Sequence, residues 1–144
     1  MGYSTTYSRS IDAKPVNIFN LLVDFGAIGN LLPDVIESVS VEGSGVGSER
    51  TILFYDQEIP IVERLDLVVA PSLISYSIVN DSPLPLDRYH AVVKLDPIGA
   101  DQCELTYASN WKAKGAPNSE VNSLIGGFYE SIVASVVKAL DVHN

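Results

Sequence analysis

The chain is 144 residues long, 47 % hydrophobic and 19 % charged, which is enough apolar material for one globular core and too much for a disordered chain. Nine basic against eighteen acidic residues leave a net charge of −9, which repels phosphate backbones and anionic membrane surfaces and excludes nucleic acid as a partner. The single cysteine, Cys103, cannot close an intramolecular disulfide, and the two histidines beside it do not make a transition-metal site. With no charged-then-apolar leader and no apolar run read as long enough to cross a bilayer, the sequence points to a cytoplasmic protein with no stable membrane insertion.

In chain order, residues 3–11 alternate, with Tyr3, Thr5, Tyr7, Arg9 and Ile11 on one side, and read as a strand. Asp12 leads into a short helix that tolerates Pro15 in its first turn, turns Val16, Phe19, Leu22 and Val23 inward and stops at Gly26. A second helical piece over 27–32 ends before Pro33. The period then changes to two. Strands are predicted over 35–42, 46–55, 58–69, 73–80, 88–95 and 102–112, with turns at Gly43-Ser44-Gly45, at Asp56-Gln57, at Pro71, at the stiff Asp81-Ser82-Pro83-Leu84-Pro85 and around Pro97 and Gly99.

The final segment, 118–142, is the one long helix. Val121, Leu124, Ile125, Phe128, Ile132, Val133, Val136, Val137 and Leu140 recur at spacings of three and four and form one apolar face. Asn118 or Ser119 is suited to cap its start and Glu120 to the positive end. Gly126-Gly127 costs about 1 kcal/mol per glycine relative to alanine, and marks a bend or a close approach. The order strand, two short helices, six strands, long helix makes residues 1–144 a single α+β domain, an antiparallel sheet wrapped around the last helix.

Parity assigns the inward side chains strand by strand. Over 58–69 the odd positions Ile59, Ile61, Glu63, Leu65 and Leu67 face in, and a hairpin turn at Asp56-Gln57 sets Phe54 opposite Ile59, Ile52 opposite Ile61 and Arg50 opposite Glu63. A guanidinium and a carboxylate thus meet on an apolar surface, either as an internal ion pair or as the polar wall of a cavity. The same rule turns Tyr76, Ile78 and Asn80 inward with Ser75 and Ser77 outward. It also selects Tyr89, Ala91, Val93 and Leu95, then Cys103, Leu105, Tyr107, Ser109 and Trp111. Three inward tyrosines with Glu63, Arg50 and Ser109 describe a pocket for ligand or water. His90 has surface parity and is not a general base. Cys103 is a small core residue, and no nucleophile elbow or glycine-rich phosphate cradle occurs, so no cofactor is expected.

The order of elements resembles the polyketide cyclase/dehydrase and lipid-transport family of the START and Bet v 1-like helix-grip superfamily. The resemblance also rests on Ile11-Asp12-Ala13-Lys14-Pro15, Leu32-Pro33, 45–51, Val62-Glu63-Arg64-Leu65 and Gly127-Phe128-Tyr129. It covers nearly the whole chain and implies a seven-stranded antiparallel sheet gripping the C-terminal helix, with a cavity between them for an apolar or aromatic small molecule. Around Arg50 and Glu63 the chain is also similar to the plant abscisic acid receptors, in which the corresponding pair lines the hormone pocket. There the loops matching 56–60 and 81–86 act as gate and latch. No lysine occurs between Lys14 and Lys94, so the lysine that anchors the hormone carboxylate has no counterpart, and what carries over is a pair of loops at a cavity mouth.

Three readings follow. The first is a binding module for a lipid, polyketide or aromatic metabolite, with Ile52, Phe54, Ile61, Ile78, Ala91, Val93, Phe128, Ile132 and Val136 as apolar wall and Arg50, Glu63, Tyr76, Tyr89, Tyr107 and Ser109 as the orienting polar groups. The second is a cofactor-independent cyclase or dehydratase on the same cavity, with Glu63, Tyr89 or Tyr107 moving a proton and Arg50 steadying an enolate. The third is a protein-interaction or cochaperone domain, marked by a large exposed patch. Patterning leaves open whether the chain forms a homodimer.

Overall fold

The computed structural model describes residues 2–141. Strand β1 (Thr5–Ile11) is followed by helix α1 (Pro15–Val23), a 3-10 turn (Phe25–Ala27) and helix α2 (Ile28–Leu31). Strands β2 (Ile36–Glu42), β3 (Glu49–Phe54), β4 (Ile61–Val69), β5 (Leu73–Ile78), β6 (Leu86–Gly99) and β7 (Gln102–Ala113) come next, and helix α3 (Asn118–Asp141) closes the chain. The seven strands form one antiparallel sheet in the order β1-β7-β6-β5-β4-β3-β2. This is the α+β helix-grip architecture expected from the order of elements.

Helix α3 lies in the curve of the sheet. Val121, Ile125, Tyr129, Ile132, Val133 and Val136 are its buried stripe, each large apolar side chain contributing about 1.5–3 kcal/mol by leaving water. Leu124, counted in that stripe from its spacing, is exposed instead, because it sits at the stripe's edge. Val142 lies outside the described residues. By length and composition alone α3 is apolar enough to cross a bilayer, contrary to the sequence reading; in this fold its apolar face is spent on the sheet. Its first turn is held by the backbone, with the N–H groups of Glu120 and Val121 donating to the Pro117 carbonyl.

The glycine pair interrupts nothing: α3 is continuous through 126 and 127. A Cβ on Gly126 would meet Thr5 Cγ2 at an ordinary 3.8 Å, and one on Gly127 would meet nothing within 4 Å. Gly127→Ala is therefore expected to raise stability by about 1 kcal/mol; a urea midpoint that fell instead would mean that position 127 needs glycine for another reason.

Three side chains placed inward, one by helical spacing and two by strand parity, point out. Val16, in the first turn of α1, is exposed, and Ile18 with Phe19 carries the helix's buried contact. Ile59 is exposed because β4 begins only at Ile61, so the β3–β4 ladder ends at Ile52 and Ile61 and Phe54 does not pair with Ile59. Leu67 is exposed because the ladder slips between Leu65 and Leu67: Leu65 faces Tyr76 but Leu67 faces Ser75. The extra residue at this bulge, Asp66, reverses the parity of everything after it.

The bulge also explains Ser77, placed outward by its parity yet only 2 % exposed. On the outer face its hydroxyl donates to Asp66 Oδ2 and lies 2.6 Å from His90 Nδ1. Since that hydroxyl has one proton, the imidazole Nδ1–H is the donor of the second bond. His90 is exposed, as its parity requires. The turn anticipated at Pro97 and Gly99 is displaced, with β6 running through Gly99 before it reverses. Asn80, expected to point inward from a strand, lies past the end of β5; it accepts from the Val62 N–H and donates to the Pro60 carbonyl, tying loop 79–85 to loop 55–60.

Candidate functional site

The site begins with register. Arg50 on β3 and Glu63 on β4, the second and third strands counted from the β2 edge, are directly opposed, and both side chains are buried, 4 % and 7 % exposed. Arg50 Nε donates to Glu63 Oε1 at 2.7 Å, and Nη2 approaches the same oxygen at 2.7 Å. Nη1 donates to the Phe25 carbonyl at 3.2 Å. The guanidinium plane is also covered by the Phe25 ring at 4.0 Å and lies 5.0 Å from that of Tyr76, an arrangement that suits a weakly hydrated delocalised cation. Burial is the largest single influence and works against the Arg50 charge, but the charge and hydrogen bond of Glu63 together with Tyr76 and Tyr107 raise the guanidinium pKa above its ordinary value.

Beside the pair stand four tyrosines, one more than the strand pattern gives. Tyr76 and Tyr107 share a hydrogen bond between their hydroxyls, as do Tyr89 and Tyr129. Tyr107 stacks on Tyr129 with centroids 3.9 Å apart and planes 17° from parallel. The tyrosines reach in from β5, β6, β7 and α3, so they join the sheet to the helix it grips. Ser109, fully buried next to the Tyr129 hydroxyl, does not reach hydrogen-bonding geometry and is the one buried side-chain polar atom without a partner among the described residues. Burial keeps all four phenols protonated, pushing Tyr107 up to about 12 and Tyr76, Tyr89 and Tyr129 also well above their ordinary range.

Arg50, Glu63, Tyr76, Tyr89 and Tyr129 border a void between sheet and α3 that offers about 60 Å3 to the centre of a water-sized sphere. That is space for a few waters. Arg50, Ile52, Phe54, Ile61, Glu63, Tyr76, Ile78, Tyr89, Phe128 and Ile132 line it, as the sequence reading proposed. A second, smaller void of about 20 Å3 lies behind Arg50 and Tyr76, and it is this one that Val93 and Tyr107 line. Ala91, Ser109 and Val136 are buried but border neither void; Val136 is packed into the core below them.

Sequence reasoning missed Ile28, Leu32, Ile36, Leu84, Ile125 and Tyr129 on the wall of the larger void. Ile125 and Tyr129 were recoverable: they stand four apart on the helix stripe that also carries Ile132 and Val133. Leu84 comes from the proline-rich loop and Ile28 from a single helical turn, where no periodicity exists to read. Phe54 and Phe128, with centroids 5.8 Å apart, are the aromatic part of the apolar wall. Among the described residues no three His, Cys, Asp or Glu side chains gather as a metal would require. Chemically, the site supplies a paired carboxylate, a fixed cation and several phenolic donors beside apolar walls.

Comparison with known proteins agrees with this fold. A family model described as polyketide cyclase/dehydrase and lipid transport matches residues 3–141. No curated protein matches the sequence. Among solved structures, XoxI from Bacillus cereus is 23 % identical, with 100 % of this chain and 99 % of that one covered at a TM-score of 0.80. A protein from Thermobifida fusca is 22 % identical, with 92 % and 89 % covered and a TM-score of 0.78. Norcoclaurine synthase from Thalictrum flavum, in complex with dopamine and hydroxybenzaldehyde, is 18 % identical, with 96 % and 86 % covered and a TM-score of 0.79. At these identities the likeness is one of fold.

Proposed function

The chain belongs to the polyketide cyclase/dehydrase and lipid-transport family, and from that premise we propose that it binds an apolar or aromatic small molecule between the sheet and α3. The observation that carries the reading is the division of one cavity wall into two chemistries. Isoleucines and phenylalanines from β3, β4 and α3 supply apolar contact, while Arg50, Glu63 and the tyrosines supply polar groups. Apolar wall supplies affinity and a few convergent polar groups supply orientation, which is the usual composition of a small-molecule site. The space as it stands is small, so a ligand larger than a single ring requires the wall at Phe54, Phe128 and Leu84 to yield. We place the protein in the cytoplasm, a setting that suits its single, buried, free cysteine.

Native mass spectrometry beside the denatured mass tests this reading: a co-purified small molecule released on unfolding is the expected result. An empty protein that binds no member of a panel of lipids and aromatic metabolites would sink it.

A second reading, an enzyme on the same site, is favoured by one observation: a carboxylate and several protonated phenols line the same cavity, which is what proton transfer to and from a carbonyl compound needs. The fold itself supports such use, since norcoclaurine synthase holds dopamine and hydroxybenzaldehyde on it. Glu63→Gln separates the two. If Glu63 is a base, the variant binds ligand nearly normally and loses about 100-fold or more in turnover; if the protein is a carrier, only affinity changes. Isothermal titration and a turnover assay on the co-purified compound give the answer.

A further inference from the structure

Where the hairpin over 43–48 enters β3, at the opposite end of that strand from loop 55–60, lies a groove of about 470 Å3, against about 60 Å3 for the larger void. That is the size of an ordinary small-molecule site. Three local devices shape it. The hairpin reverses through Gly43, Gly45 and Gly47, all left-handed, and is stapled to β4: the Gly47 N–H donates to the Leu65 carbonyl at 2.8 Å and the Leu65 N–H to the Ser48 carbonyl at 2.9 Å. The bulge at Asp66 reverses parity, so that Val68 joins Leu65 on the groove wall. Opposite them, the 3-10 turn brings Gly26 so close to β2 that a Cβ there would meet Val41 Cγ2 at 3.2 Å. The apolar lining is Val23, Phe25, Val41, Val46, Leu65 and Val68, of which Val41 and Val46 are 41 % and 59 % exposed. Apolar side chains left in water on a concave wall gain by being covered.

The charge at the groove has one sign. Asp24 is the one charged side chain that lines it; it is exposed, caps no helix, and pairs with no cation among the described residues. Glu42 and Glu49 pair across the foot of the hairpin and add to the negative field. From Pro15 to Glu63 the only cation is Arg50, which is buried and spent on Glu63. We propose that this groove is a second small-molecule site, separate from the void gripped by α3, and that it takes an apolar amine, with the hydrocarbon body on the valines, Phe25 and Leu65 and the ammonium group at Asp24. A carboxylate would be repelled by Asp24, Glu42 and Glu49, and a neutral molecule would gain the apolar contact alone. Phe25, which lines both this groove and the smaller void, separates the new site from the inner one.

Hexylamine, 1-hexanol and hexanoate share one chain length and differ in the end group. Titrated at low salt into the intact protein and followed by the methyl resonances of Val41, Val46, Leu65 and Val68, the amine should give saturable shifts. It is expected to bind about 2–5-fold more tightly than the alcohol, the worth of one exposed ion pair, with the carboxylate weakest. At about 1 M salt, where charges are screened beyond about 3 Å, that advantage should vanish. Asp24→Asn should bring the amine down to the alcohol and leave the alcohol unchanged. Val46→Ser, at an exposed position, should weaken amine and alcohol alike, by about 2–3-fold. An alcohol that matches the amine at low salt, or an amine advantage that survives Asp24→Asn, overturns the ammonium assignment. Shifts at Ile52, Ile61 and Ile132 with none at the groove methyls would put the probe in the gripped void and overturn the second site. Groove methyls that respond to none of the three probes overturn it equally, and neither result touches the reading of the inner void.

Discussion

Raising the pH above 10 is expected to unfold this protein steeply. Four tyrosines, Tyr76, Tyr89, Tyr107 and Tyr129, are held protonated by burial, with pKa values raised above those they would have in the unfolded chain. A group whose folded pKa is raised stabilises the fold fully below its unfolded pKa, here about 10, and loses that contribution as the pH climbs toward the folded value. Above pH 10 the unfolded chain sheds phenolic protons that the native state keeps, and each tyrosine lowers stability by about 1.4 kcal/mol per pH unit. For Tyr107, raised from 10.0 to about 12, the full loss is about 3 kcal/mol. Four such groups falling together remove about 5 kcal/mol per pH unit, against a total of roughly 5–15 kcal/mol for a domain of this kind. Urea unfolding followed by far-UV circular dichroism at pH 8, 9.5, 10.5 and 11 measures the slope. Tyr129→Phe should flatten it by about a quarter, since one of four proton differences is removed. A stability that stays level to pH 11 would mean that the phenols ionise in place and are not sealed from water.

The part of this site that patterning reveals is the part built from uninterrupted ladder. Arg50 and Glu63 fall opposite each other because β3 and β4 keep one register between Glu49 and Ile61, and side-chain parity within that stretch is fixed by the pleat. The same arithmetic fails two residues beyond it in each direction. Toward the turn, the chain leaves the ladder after Ile61 and Ile59 swings out to solvent. On the other side, the bulge at Asp66 turns Leu67 out and brings in Val68, a backbone event with no signature in Leu67-Val68-Val69, which is apolar at both parities. Tyr129 escaped for a different reason: a stripe counted in wholly apolar residues passes over a tyrosine whose ring is core and whose hydroxyl is site. What the letters could not supply at all is the pairing of the phenols across four elements, because that depends on how far α3 sinks into the sheet.

Arg50→Ala is expected to cost about 3–5 kcal/mol, the penalty of leaving Glu63 buried without its partner. The loss has a packing part as well, since the guanidinium covers the Phe25 ring at 4.0 Å and holds the Phe25 carbonyl. Replacing both members, Arg50→Met with Glu63→Leu, should instead bring stability back to within about 1 kcal/mol of the unsubstituted protein, because an apolar pair of similar volume has no charge to desolvate. Urea midpoints for the two single variants and the double complete the cycle, and a coupling of about 3 kcal/mol or more marks the pair as one unit. A double variant whose cost equals the sum of the singles would show that the two side chains act separately. The cycle bears on function through what the double variant should lack. If two apolar residues serve the fold as well, the ion pair is there for what faces it, and the Arg50→Met, Glu63→Leu protein should keep its fold while losing its preference for a ligand with a polar end. Stability retained together with an unchanged ligand preference would locate the orienting groups in the tyrosines alone.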